Sequence, residues 1–169
     1  MPTEADRSSA DRNRLLALAE ADLLRECRVD RLRGTGRGGQ KRNVTESAVR
    51  VTHEASGLAA CSDETRLQNR NRTVAVRLLR IEMALNWRQP PPDAWRWAQR
   101  PGPRNSVYAL YLAELLDVLD ACDYRVSDAA AFCGLSTGRL VRDLARDSHL
   151  WQAVNTVRQQ RGMPVLRKP

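Results

Sequence analysis

Apolar residues fall at helical spacing near the start of the chain, at strand spacing in the next stretch, and at helical spacing again through most of the rest. From Arg14 to Cys27, RLLALAEADLLREC sets Leu15, Leu16, Leu18, Leu23 and Leu24 at helix-like intervals, with a break expected near Ala21. Residues up to about Asn13 are small and polar, and disorder is expected there. Glu26 to Leu32 alternates Cys27 and Val29 with charged neighbours, with Leu32 out of phase, which predicts a short strand. Ala48–Thr52 and Leu58–Ser62 flank the tetrapeptide EASG, whose Gly57 supplies a tight reversal, so a β-hairpin is predicted. From Thr65 to about Asn86, Val74, Leu78, Ile81 and Leu85 form one apolar stripe of a helix, and Arg66, Arg70, Arg77 and Arg80 take its other faces.

Beyond this the pattern changes twice. The segment from Asn86 to Asn105, NWRQPPPDAWRWAQRPGPRN, holds five prolines, three tryptophans and four arginines, and proline keeps it out of helix and sheet. Trp87, Trp95 and Trp97 admit two readings: stacking on unpaired bases beside Arg88 and Arg96, or pinning the segment to a domain it joins. From Ser106 onward the chain reads as helical. Val107, Leu110, Tyr111, Leu115, Val118 and Leu119 give a broad apolar face to about Ala121. Ser127 is the expected N-cap of a short helix ending at Gly134, Ser136 caps another to about Arg146, and Ser148 begins a last one stopping near Gly162. The predicted fold class is α+β. A tail and helical lead-in (1–25) precede a small strand, loop, hairpin and helix domain (26–86), a linker (87–105) and an all-α unit (106–169).

The net charge of +8 and an isoelectric point of about 10.1 point to a polyanionic partner, nucleic acid before membrane. Glu26–Leu85 carries 12 basic against 7 acidic residues, and Asn86–Asn105 carries 4 against 1. The unit from Ser106 onward is nearly balanced, 8 against 7. Cys27, Cys61, Cys122 and Cys133 are far apart, form no CxxC pair and have only two histidines beside them, so neither a zinc site nor a disulfide framework is expected. They read as reduced, mostly buried thiols of a cytoplasmic protein. The first residues, MPTEADRSSADRNR, mix acids with bases and lack an apolar core, against a signal or transit peptide. No apolar run is long enough to span a bilayer.

The charge has a focus. Arg33 to Asn43, RGTGRGGQKRN, has four glycines and four cations in eleven residues and nothing acidic or apolar. Such a segment buries nothing of its own and is predicted to protrude as a loop. Gly38 and Gly39 let backbone approach a ligand closely, and Arg33, Arg37, Lys41 and Arg42 make that ligand an anion. The loop carries no Asp, Glu, His or Ser near Gln40 to act as acid, base or nucleophile.

From RGTGRGGQKRN through the RLQNRNRTVAVRLL stretch, the chain resembles the catalytic (GGQ) domain of class I peptide chain release factors and their short ribosome-rescue relatives. The resemblance rests on Gly38, Gly39 and Gln40, on Asn43, on SAVR at 47–50, on His53 and Gly57, and on Arg66, Gln68, Asn71 and Arg72. Lys41 and Arg42 replace the usual His and Val type pair, Glu54, Ala55 and Ser56 replace a Pro and Thr turn, and Leu67 stands where Ser is usual. The resemblance implies hydrolysis of the ester joining a peptide to transfer RNA, in a large-subunit pocket walled by ribosomal RNA. It assigns Gly38, Gly39 and Gln40 to catalysis, and Arg33, Arg37, Lys41, Arg42, Asn43, Arg66, Arg70 and Arg72 to RNA. It implies no cofactor and no metal. Catalysis then rests on the Gln40 backbone N–H stabilising developing negative charge and on its amide side chain placing water. Family members are often methylated on this glutamine.

A factor that reads stop codons needs further domains, for which 169 residues leave no room, so codon-independent rescue of stalled translation by a monomeric chain is expected. Val126 to Asp147 resembles the helix-turn-helix of AraC-type regulators, notably at Ala130, Cys133, Gly134, Leu135 and Ser136. Arg139, Arg142 and Arg146 line one side of its second helix, where they either meet RNA phosphates or form a solvated face. In short rescue hydrolases a basic tail enters the messenger channel, and the helical unit with its linker is expected to replace it. The alternative is a non-catalytic nucleic-acid-binding regulator working through the helix-turn-helix.

Overall fold

A computed structural model describes residues 11–33 and 47–169. The described residues form an α+β protein with three strands and seven helices in two compact units, divided between Met83 and Ala84. The tripeptide Gly38-Gly39-Gln40 and the neighbouring Arg37, Lys41, Arg42 and Asn43 lie outside the described residues.

The first unit opens with helix α1 (Arg12–Ala17) and helix α2 (Glu20–Arg25). The break comes at Leu18–Ala19, two residues before the expected Ala21. The Asp11 carboxylate accepts from the Arg14 N–H at 3.1 Å and caps α1, so the disorder expected up to about Asn13 does not hold at residues 11–13; residues 1–10 lie outside the described residues. Arg80 donates to the Leu18 carbonyl at 2.7 Å, satisfying a group freed by the end of α1.

Strands β1 (Cys27–Leu32), β2 (Ala48–His53) and β3 (Ala59–Ser62) form an antiparallel sheet in the order β1-β2-β3. The central strand carries the burial: Val49 and Val51 point inward and Arg50 outward. On β1 the alternation misleads. No residue of this edge strand is buried, and Val29, paired with Val51, is 41% exposed. Between β2 and β3, Gly57 takes φ +69° and donates to the His53 carbonyl at 2.9 Å, the reversal the glycine predicted.

Helix α3 (Gln68–Asn86) follows. Its inward row is Asn71, Ala75, Leu79 and Met83, all fully buried, with Val76 beside them. Val74, Leu78, Ile81 and Leu85, the stripe expected to face inward, are half-buried flanks. The sequence is apolar over more than half the helix circumference, so periodicity alone did not fix its rotation. Asn71 was the missing marker, since a polar residue in the inward row breaks the apolar pattern.

In the second unit, residues 87–107 contain neither helix nor strand. Trp95 and Trp97 meet Tyr111 edge-on, with ring centroids at 5.7 and 5.6 Å, and Trp97 Nε1 donates to Glu114 at 2.6 Å. Both tryptophans are therefore pinned to helix α4 (Tyr108–Ala121). That helix is buried on every side from Tyr108 to Leu119, which requires its acids to be paired: Glu114 with Arg96, and Asp117 with Arg88 and the Gln89 N–H.

Helices α5 (Val126–Phe132), α6 (Thr137–Ala145) and α7 (Ser148–Gln160) complete the unit. Gly134 at φ +64° ends α5 as expected: its N–H donates to Ala131 and the Leu135 N–H to Ala130 at 2.9 Å. Ser136 caps α6 by accepting from the Arg139 N–H. Ser127 does not cap α5. The cap position is Arg125, and Ser127 sits in the first turn, its hydroxyl on Asp128. Ser148 begins α7, but the capping side chain is Asp147. Of the cysteines, all free, only Cys133 is buried. Cys61 is exposed on β3 opposite the outward-facing Arg50, contrary to the expectation of mostly buried thiols.

Candidate functional site

The glycine-rich stretch lies between Leu32 and Ala48, which pair across β1 and β2. Its exit is fixed by an amide. Asn71 Nδ2 donates to the carbonyls of Ser47 and Thr65, each at 2.7 Å, while Oδ1 accepts from the Thr65 N–H at 2.9 Å. An amide with no solvent exposure needs such a full set of partners. One side chain thus ties the last residue before β2 to the segment leading into α3.

The far end of the hairpin is held by His53. The Ser56 N–H donates to His53 Nδ1 at 3.2 Å, so Nδ1 is unprotonated and the Ser56 hydroxyl, 2.9 Å away, donates to it as well. His53 Nε2 lies 3.7 Å from Glu26 Oε2, and Arg14 holds that carboxylate from the other side at 3.1 Å. Burial pushes the His53 pKa below the usual histidine value, against the opposing pull of Glu26. A neutral, buried, doubly bonded imidazole is a turn organiser. Cys27, opposite His53, has its thiol pushed up to about 11 by burial and by Glu26 and Glu54, so it is no nucleophile.

Arg33, Arg66, Arg70 and Arg72 are all exposed in the first unit. None makes an ion pair among the described residues. Arg139 and Arg142 on α6 and Arg146 at its C-cap are exposed in the second unit, and Arg146 pairs with Asp143 at 3.3 Å. No group of acidic, His or Cys side chains suited to a metal occurs among the described residues, nor a helix long and apolar enough to cross a membrane. Sequence reasoning had assigned no role to the Asn71 clamp. Its signal was the row Asn71, Ala75, Leu79, Met83, in which a lone amide shares one helical face with buried apolar residues.

The strand base and the amide-fixed exit can now be set beside known proteins. Residues 22–99 match the RF-1 domain, and this segment is similar to part of class I peptide chain release factors. The chain is 40% identical over 76 residues to peptide chain release factor 1 of Rhodospirillum rubrum, covering 45% of this chain and 22% of that protein. It is 44% identical over 77 residues to peptide chain release factor 1 of Dinoroseobacter shibae, covering 46% and 21%. It is 46% identical over 59 residues to the mitochondrial peptide chain release factor 1 of Kluyveromyces lactis, covering 35% and 15%. The chain thus spans about a fifth of the length of these relatives.

Proposed function

We propose that this protein releases peptides from transfer RNA on the ribosome by hydrolysing the ester between them. The observation that supports the reading is the sequence Gly38-Gly39-Gln40, which falls in the chain between Leu32 and Ala48 and within the segment that matches the RF-1 domain. Water adds to the ester carbonyl carbon, the carbonyl–oxygen bond to the ribose breaks, and the departing ribose oxygen takes a proton. The Gln40 backbone N–H stabilises charge on the reacting oxygens, and its side chain orients the water. A preorganised donor of this kind contributes about 3 to 4 kcal/mol to lowering a barrier. Arg33, Arg37, Lys41, Arg42, Asn43, Arg66, Arg70 and Arg72 hold the module among ribosomal RNA phosphates, and Arg139, Arg142 and Arg146 add a second contact.

Within this reading, release needs no stop codon and serves rescue of stalled translation in the cytoplasm, as the resemblance to short rescue hydrolases implies. The test is peptide release measured in parallel on ribosomes with a truncated message, ribosomes with a stop codon, and isolated large subunits holding peptidyl-tRNA. Release on a truncated message or an isolated subunit, at a rate unaffected by a stop codon, is the expected result. Release only at a stop codon overturns the codon-independent reading.

A further inference from the structure

The second unit contains a basic cleft that gives a definite shape to the second RNA contact proposed above. It has a volume of about 320 Å³ and is lined by Gln99, Arg100, Arg139, Arg142, Asp143 and Arg146. Two of its arginines come from α6, Arg146 caps the end of that helix, and Arg100 comes from the irregular segment earlier in the chain. Arg100 is held in place: its guanidinium lies 5.2 Å from the Tyr108 ring centre and donates to the Tyr108 hydroxyl at 2.8 Å, and that hydroxyl donates to Asp147. Arg139 reaches across to the Ala98 carbonyl at 3.4 Å, at the rim of the irregular segment. Asp143, the only carboxylate lining the cleft, pairs with Arg146. Arg142 is exposed and forms no ion pair among the described residues. Four guanidinium groups facing one carboxylate repel one another, and a polyanion relieves that repulsion by neutralising them together.

The shape selects among polyanions. A helix that reads duplex DNA presents a free face to a major groove about 12 Å wide. On α6 the side next to Arg139 is bordered by the Ala98 carbonyl and by Gln99 and Arg100, so the arginines open onto a cleft edged on one side by the irregular segment, which obstructs the flat approach of a duplex. The nine residues of α6 span about 14 Å, enough for a few consecutive phosphates of one strand. We propose that this cleft binds the phosphate backbone of single-stranded RNA. The choice of a single strand rests on the cleft, and the choice of RNA rests on the release function proposed above.

The test is fluorescence anisotropy of a short labelled oligouridylate binding to the full chain, titrated between about 50 and 200 mM salt. Neutralising both unpaired cations, Arg139→Gln with Arg142→Gln, is expected to make the slope of log affinity against log salt shallower by about 1.4 and to weaken binding at ~0.1 M salt about 25-fold. Arg142→Lys, which keeps the charge, is expected to retain the slope. Duplex DNA of equal length is expected to compete poorly. An unchanged slope in the double variant, or duplex DNA displacing the RNA at equal concentration, overturns the proposal. Peptide release is scored separately: loss of the RNA slope in a chain whose wild type releases no peptide keeps the cleft and refutes the hydrolase. An unchanged slope in a chain that does release peptide refutes the cleft and keeps the hydrolase.

Discussion

Replacing Asn71 by Ala removes three hydrogen bonds to the backbone at once, besides one from the Thr65 hydroxyl at 3.0 Å: two donated to the carbonyls of Ser47 and Thr65, and one accepted from the Thr65 N–H. At about 1 kcal/mol net for each backbone bond, the change costs about 3 kcal/mol. The loss falls on the first unit, while all four tryptophans, Trp87, Trp95, Trp97 and Trp151, belong to the second, so tryptophan fluorescence would miss it. Amide hydrogen exchange of Val49, Arg50 and Val51 on β2 reads it directly. About 3 kcal/mol corresponds to protection reduced by roughly 150-fold. Asn71→Asp separates hydrogen bonding from packing, since it keeps the shape but turns an oxygen toward two carbonyl oxygens. It is expected to lower protection at least as much as Asn71→Ala. Protection in Asn71→Ala within about threefold of wild type would refute the clamp, since the three bonds would then contribute under about 0.7 kcal/mol together.

Other substitutions probe other links. Ser136→Ala removes the cap of α6 and is expected to destabilise the second unit by about 1 kcal/mol, read by tryptophan fluorescence in urea. Gly134→Ala meets no neighbouring atom but forces an alanine to φ +64°, and is expected to cost about 1 kcal/mol in the same assay. His53 has a folded pKa below its unfolded value, so the unfolded chain binds the proton more readily. Stability of the first unit is therefore full above the ordinary histidine pKa and falls as pH drops through the lower folded value, and His53→Gln is expected to flatten that acid-side slope in β2 amide exchange. Tyr108→Phe removes the hydroxyl between Arg100 and Asp147 and is expected to lower second-unit stability by about 1 to 3 kcal/mol.

Local chemistry was the most legible part of the sequence. Gly57, Gly134 and Gly162 stop their elements at positive φ because only the missing Cβ makes that backbone inexpensive, and the residue type alone announces it. Ser136 announced a helix start for a similar reason. What sequence could not show was which of several apolar faces would turn inward. Helix α3 offered two overlapping stripes, and the one containing small Ala75 and polar Asn71 is buried because Asn71 finds a full set of backbone partners there. On β1, Val29 alternates correctly yet is largely exposed, because an edge strand with no described neighbour beyond it has little to bury against. Ser127 misled as a cap because a serine in the first turn and a serine at the cap look alike in sequence. At the candidate site, the tripeptide and its cations were readable from composition and resemblance. The Asn71 clamp and the seating of Arg100 depend on residues 24 and 8 positions from their partners, beyond any local pattern.

The central claim is that a glycine-flanked amide, with no proton-transfer side chain beside it, cleaves the peptidyl ester. The most direct test is single-turnover peptide release from ribosomes stalled on a truncated message, comparing wild type with Gly39→Ala and Gln40→Ala. The account predicts that Gly39→Ala, which alters the backbone presenting the Gln40 N–H, slows release by about 100- to 1,000-fold, and that Gln40→Ala, which trims only the side chain, slows it less. Release by Gly39→Ala at the wild-type rate would contradict it.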